Sequence, residues 1–167
     1  MTIYLIGYIS GEKIKECSEW RKKLRDRYEH WKLKETYADA KWERYPISWL
    51  DPLNGKAFED IDKDGFIAKG ITAEAIMHRD YQSVKKADLL IANLDTFGST
   101  RPLTGSMFEL AWAYDAHKPV IVITQDLNYI NHPFIKETAS IIVPTVDELI
   151  ERKLINYFFK GWVNAEY

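Results

Sequence analysis

Residues 87–94, ADLLIANL, are apolar throughout apart from Asp88 and Asn93. The run is short and does not alternate between apolar and polar, so it reads as a strand covered on both faces. Such a strand needs a layer on each side, and the rest of the chain supplies candidates. Residues 2–9 form a second short apolar run closed by Ser10-Gly11, residues 119–124 a third and residues 140–143 a fourth. Between these runs the spacing turns helical. From Glu12 to about Trp31, Ile14, Cys17, Trp20, Leu24 and Tyr28 recur at intervals of three and four. The other positions are mostly charges of alternating sign, which read as a solvated face with no function of its own. Thr72 can cap a helix from Ala73 to about Lys86 with Ile76, Tyr81 and Val84 inward. Thr145-Val146-Asp147-Glu148 has the spacing of a capping box and starts a last helix towards Phe159.

Two segments are less regular. Residues 44–50 make a plausible further strand ending in the turn cluster Asp51-Pro52-Leu53-Asn54-Gly55-Lys56, whereas residues 32–43 are polar and ambiguous. Asp60, Asp62, Asp64 and Gly65 superficially match the start of a calcium loop. The twelfth position is Ile71, where such a loop needs a bidentate Glu, so no metal site is expected. Strands alternating with helices at these lengths imply a doubly wound parallel sheet of about five strands with helices on both faces, a single domain over residues 1–167. Such sheets bind ligands beyond the carboxyl ends of their strands. Three loops leave those ends, at residues 7–11, 51–56 and 93–105.

Composition narrows the function. A formal net charge of −2 over 167 residues gives no footprint for a nucleic-acid polymer or an anionic membrane. One cysteine, Cys17, allows neither an internal disulfide nor a thiolate metal cluster. No apolar run reaches the roughly 18 residues that cross a bilayer, and the N-terminus reads as a strand rather than a signal peptide, so the cytoplasm is the expected compartment. Six Trp and ten Tyr exceed what a core of this size needs and fit a ring-lined pocket or subunit interface. The loop at residues 7–11 lacks a dinucleotide fingerprint, and no Walker loop, His-rich metal motif or nucleophile elbow is present. The four histidines have no metal-ligand spacing and read as structural.

The stretch from Arg101 to Thr124, RPLTGSMFELAWAYDAHKPVIVIT, carries the most chemistry. Its helix opens near Gly105-Ser106 and is apolar almost all round, which predicts burial. Glu109 is the one charge inside that run. It is either satisfied by the helix dipole or a salt bridge on a partly exposed face, or held buried for a purpose. Asp80, in His78-Arg79-Asp80-Tyr81, is either a helix-surface ion pair with Arg79 or Lys85 or a second working carboxylate. Tyr4, Asn93 and Asp95 complete the candidates at that sheet edge. Two carboxylates at a small pocket suit glycosidic chemistry, one attacking the anomeric carbon and the other protonating the leaving group.

Taken in order, TIYLIGYISG at 2–11, DPLNGK at 51–56, RD at 79–80, ADLLIANL at 87–94, TGSMFELAWA at 104–113, KPVIVI at 118–123, and HPFI with VDELI near the end resemble the nucleoside 2-deoxyribosyltransferase family. The resemblance implies a flavodoxin-like fold and a ping-pong transfer of 2-deoxyribose between nucleobases, with no metal or organic cofactor. It puts Glu109 on the family's nucleophile in G-[ST]-x-x-E, Asp80 on the carboxylate that handles the base proton, and Tyr4 on the tyrosine that holds the nucleophile. Gly7, Tyr8, Asp51, Pro52, Asn54, Asn93, Leu103, Ser106, Asn131 and the terminal Tyr167 become the expected substrate-binding positions. Leu103 stands where some members carry Asp or Ser, so a sugar or base contact is absent or comes from Asn93 or Thr104. Asn54 stands where relatives often have Arg. The implied partners are 2′-deoxynucleosides and free nucleobases, together with further copies of the chain in a homo-oligomer (a dimer or trimer of dimers). There the loop holding Asn131, or the ring-rich tail, completes a neighbour's pocket. Two other classes stay open: an N-glycosidase acting on nucleoside 5′-monophosphates, for which residues 7–12 offer few phosphate donors, and a non-catalytic nucleotide-sensing module.

Overall fold

The computed structural model describes residues 1–29, 47–56, 59, 61 and 71–158. In it the apolar runs become strands because each has two apolar layers to fill. β1 (Thr2–Gly7) sends Ile3 and Leu5 to one side and Tyr4 and Ile6 to the other. β2 (Ser48–Leu50) is short and half-exposed, while β3 (Leu89–Asn93) is buried at every residue. β4 (Val120–Ile123) and β5 (Ile141–Val143) complete the sheet. The order is β2-β1-β3-β4-β5, and every neighbouring pair is parallel. This is the flavodoxin-like order, whose direction of winding reverses between β1 and β3.

The helices cover both faces. α1 (Ile14–Glu29) packs Trp20, Leu24 and Tyr28 against one side of the sheet. α6 (Val146–Glu151) and α7 (Leu154–Tyr157) add Leu149, Leu154 and Ile155 to the same layer. The other side takes Val84 from α2 (Ala73–Lys86), Leu110 and Ala113 from α3 (Thr104–Asp115), and Ile135 from α5 (Pro133–Thr138). α4 (Leu127–Asn131) precedes α5 and contributes no buried residue. The two expected caps form: Thr72 Oγ1 accepts from Ala75 N–H at 3.1 Å, and Thr145 Oγ1 from Glu148 N–H at 3.1 Å. Each satisfies an N–H that the helix itself leaves without a partner. Among the described residues, no helix is long and apolar enough to cross a membrane.

Three expectations are corrected. The last helix does not run on towards Phe159. It stops after α6, and Lys153 turns the chain through a left-handed conformation (φ 52°) before α7 starts. That turn lets Leu149 as well as Leu154 and Ile155 reach the core. α3 is not buried all round, since Phe108 and Tyr114 are 55% and 58% exposed. Only Ser106, Glu109, Leu110 and Ala113 are buried there, because α3 covers the sheet as an outer layer. The charged face of α1 is not wholly solvated either, because Arg21 is completely buried. The segments at residues 30–46 and 62–70, Asp60, and the tail from residue 159 lie outside the described residues. So do the ambiguous stretch, most of the calcium-like loop and Tyr167.

Candidate active site

The reversal between β1 and β3 opens a cleft at the carboxyl ends of those strands, and α2 and α3 wall it in. A cavity of about 200 Å³ lies there, lined by Gly7 and Tyr8 after β1, Pro52 and Lys56 from the turn after β2, Arg79 and Asp80 on α2, and Leu103, Thr104, Ser106 and Glu109 at the start of α3. Residues 51–56 hold their shape by turn chemistry. Asp51 accepts from Leu53 N–H at 2.9 Å, Asn54 N–H reaches Asp51 C=O at 2.9 Å, and Gly55 takes a positive φ of 76°. α3 starts one residue earlier than expected, and its N-cap, Leu103, has no side chain that can accept. Backbone N–H groups in its first turn are therefore left for whatever enters the cavity.

Glu109 and Tyr4 form the floor. Glu109 is 7% exposed, and the Tyr4 hydroxyl donates a short hydrogen bond to its carboxylate. Burial pushes the Glu109 carboxyl up to about 8, and the nearby Asp80 pushes in the same direction. The Tyr4 hydrogen bond and the charges of Arg21 and Arg79 oppose that rise. The helix dipole contributes little, because its effect falls off within the first turn and Glu109 is the sixth residue of α3. Desolvation thus wins over the groups that favour the anion. Tyr4 is itself pushed well above the ordinary tyrosine value by burial and by Glu109, so its hydroxyl stays protonated and remains a donor. Asp80 is less buried and receives two hydrogen bonds from Arg79, at 2.7 and 2.9 Å. It is both the ion-pair partner of Arg79 and a wall of the cavity, so the two readings of Asp80 are compatible.

Replacing Tyr4 by Phe removes a group that favours the Glu109 anion while leaving the ring's packing in place. The Glu109 titration, followed by carboxyl infrared absorption, should then move to higher pH than in the wild type. An unmoved midpoint would show that the hydrogen bond does not tune the carboxyl.

Of the expected substrate-binding residues, Gly7, Tyr8, Pro52, Leu103 and Ser106 line this cavity, and four do not. Asp51 is turned away into the protein. Its side chain is 1% exposed and lies between Arg25, to which it is hydrogen-bonded, and Arg21 Nε at 3.4 Å. Asn54 is exposed on the turn, and Asn131 is exposed at the end of α4. Asn93 accepts from Asp95 N–H at 3.0 Å and borders a different cavity of about 580 Å³, over the ends of β3 and β4, which contains neither Glu109 nor Asp80. Thr104, rather than Asn93, is the polar neighbour of Leu103 at the cavity. Lys56, Arg79 and Arg101 also line it and were not among the expected positions. Lys56 and Arg79 sit inside motifs already singled out, but exposed cations in turns and on helix surfaces are so common that neither stood out. Arg101 stacks on Tyr8, with its guanidinium carbon 4.6 Å from the ring centre, and donates to Ile9 C=O.

The fold thus brings a buried carboxyl, a second carboxyl and a tyrosine together at the switch point of a doubly wound parallel sheet. Residues 19–156 match the family model of nucleoside 2-deoxyribosyltransferases. The chain belongs to that family, whose members transfer glycosyl groups. Solved structures share the fold at low identity. A conserved protein from Enterococcus faecalis is 18% identical, with a TM-score of 0.61 over 93% of this chain and 98% of the other. A CMP N-glycosidase from Clostridium botulinum is 12% identical, with a TM-score of 0.51 over 93% and 99%. A 2-desoxiribosyltransferase from Leishmania mexicana, 19% identical over 75% and 65%, superposes at a TM-score of 0.44, too low to carry an argument. No curated protein matches the sequence significantly.

Proposed function

We propose that this chain exchanges the nucleobase of a 2′-deoxynucleoside, with Glu109 as the nucleophile. The observation that carries the reading is the Tyr4–Glu109 pair, a carboxyl kept at the dry floor of the cavity beside a second carboxyl, Asp80. The Glu109 carboxylate attacks C1′, the C1′–N bond breaks with its electron pair passing to the base, and that nitrogen takes a proton through Asp80. An incoming base returns its proton to Asp80 and attacks C1′, and Glu109 leaves as a carboxylate. The proton that Asp80 gives to the departing base is replaced by the one from the incoming base, so the two half-reactions balance. Transfer rather than hydrolysis requires that water be kept from the glycosyl ester until the incoming base arrives.

A second reading has its own support. Lys56, Arg79 and Arg101 gather three cations around the cavity, and the first turn of α3 adds backbone N–H groups. Lys56 is held below its ordinary pKa by burial and by the like charge of Arg79. A bound anion would relieve that repulsion, which favours a 5′-monophosphate substrate and N-glycosidase activity. Incubating a deoxynucleoside, and separately its 5′-monophosphate, with a different free base and separating the products decides between them. A new deoxynucleoside supports exchange, release of the sugar phosphate supports hydrolysis, and binding without cleavage defeats both.

The outward face of α3 supports a homo-oligomer. Tyr114 and Phe134, 58% and 77% exposed, line an apolar groove of about 640 Å³, and the exposed Phe108 lines the groove next to it. A second groove of about 440 Å³ continues from it to Pro102, Leu103 and Thr104, which also line the catalytic cavity. A second copy seated there would border the cavity, and exposed apolar surface of this kind commonly marks an interface. Sedimentation at assay concentration should give an oligomer, and a fully active monomer would remove this part of the reading.

A further inference from the structure

Among the described residues, Arg21 is the largest side chain that is wholly buried. Isolated buried charges are expensive, so a buried arginine needs partners in number. It lies on the inner face of α1 and stacks on Trp20, with its guanidinium carbon 4.4 Å from the ring centre. It donates to Cys17 C=O and, at 3.2 Å, to Gly7 C=O at the end of β1. Its Nε lies 3.4 Å from Asp51 but has no hydrogen-bond partner. Gly7 is fitted to this arrangement. A Cβ there would stand 3.0 Å from Asn93 C=O, 3.1 Å from the Trp20 ring and 3.4 Å from the Arg21 guanidinium.

The charges around Arg21 do not balance on their own. Arg25 also pairs with Asp51, so two guanidinium groups share one carboxylate. The acidic groups bearing on Arg21 are Asp51 first, then Cys17, Glu109 and Tyr4. Burial keeps the Cys17 thiol and the Tyr4 phenol protonated. Among the described residues, Glu109 is the remaining group of this set that can supply a second negative charge. Resting on Glu109 being the nucleophile, we propose that Arg21 is a positioning residue for the reaction: from beneath the cavity it ties the Gly7 and Asp51 loops to α1 and balances the charge of Glu109 when that residue is ionised. The same fixed charge favours the carboxylate that attacks C1′ and the carboxylate that leaves in the second half-reaction.

Glu109 answers to groups on every element around it: Tyr4 on β1, Arg79 and Asp80 on α2, and Arg21 on α1. The test therefore isolates Arg21 by titrating Glu109 directly, through its carboxyl infrared band assigned by difference from Glu109→Gln. Arg21→Met removes the charge and keeps most of the stem. Arg21→Gln also removes the charge but keeps an amide that can donate to Gly7 C=O, so two neutral variants with different packing test the same loss. In either variant the Glu109 midpoint should move to higher pH. The rate of base exchange, as kcat/KM, should fall about tenfold at pH 7 and recover towards wild type well above the midpoint. Arg21→Lys should keep the wild-type midpoint. A neutral variant, Arg21→Met or Arg21→Gln, that titrates like wild type, or a lysine variant shifted as far as the methionine one, overturns the proposal whatever happens to activity. Loss of the nucleophile reading is scored separately, by exchange persisting in Glu109→Gln, and the titration does not depend on it.

Discussion

Replacing Glu109 by Gln should lower turnover at least about a thousandfold and yet make the folded protein more stable at alkaline pH. The first effect follows from the nucleophile reading, because removing the attacking group removes the covalent route rather than slowing it. Mass spectrometry of wild-type enzyme quenched with substrate should find a deoxyribosyl adduct on the peptide holding Glu109. An adduct elsewhere, or a variant keeping a tenth of the wild-type rate, would sink the assignment. The second effect follows from linkage. The folded protein holds the Glu109 proton up to about pH 8, against an ordinary value of 4.5. That proton's contribution to stability is fully present below the ordinary value and is lost as pH rises through the folded one. Gln mimics the protonated acid and still accepts from Tyr4, so it keeps the contribution. Near pH 9 the variant should gain on the order of a few kcal/mol, a Tm higher by roughly 5–10 °C, and near pH 5 the two proteins should melt together. Equal melting at both values would mean that Glu109 titrates normally.

Asp80→Asn should divide substrates by their leaving groups. A base that must be protonated as it departs should suffer about a hundred- to a thousandfold loss, the usual worth of a positioned general acid. An activated, nitrophenyl-like base surrogate, which leaves without a proton, should lose far less. The variant also removes a charge that hinders ionisation of Glu109, so its nucleophile should titrate lower than in the wild type. The two effects oppose each other for the activated substrate and isolate the proton-transfer role for the poor one. Uniform losses across leaving groups would assign Asp80 to holding Arg79 and the cavity wall instead.

The three residues of the catalytic reading lie 105 positions apart at their extremes, on β1, α2 and α3. Their approach at one sheet edge was readable from sequence because each sits in a local pattern whose direction the fold dictates. A buried strand at residues 2–9, a helix capped by Thr72 and a lone carboxylate in an apolar helix are short-range facts. Parallel topology then gathers their carboxyl ends at one edge. Asp51 was misread because a turn aspartate next to a cleft can point either way. Nothing local distinguishes a substrate ligand from the partner of two arginines on a distant helix.

Arg21 marks the boundary most clearly. It falls on the inner face of α1, four residues after Cys17 and three before Leu24, but in a helix rich in alternating charges an arginine there reads as solvated. Its burial depends on Gly7, which lacks the atoms that would block it, and on Asp51, which reaches it across the end of the sheet. The sequence alone determined most of the strands and helices and two of the caps, because apolar periodicity and backbone hydrogen bonding act over a few residues, and their alternation implied a parallel sheet. Tertiary structure alone decided which charges meet in a dry interior and how far burial moves their protons. Those energies depend on distances and dielectric surroundings that exist only once the chain has closed around them.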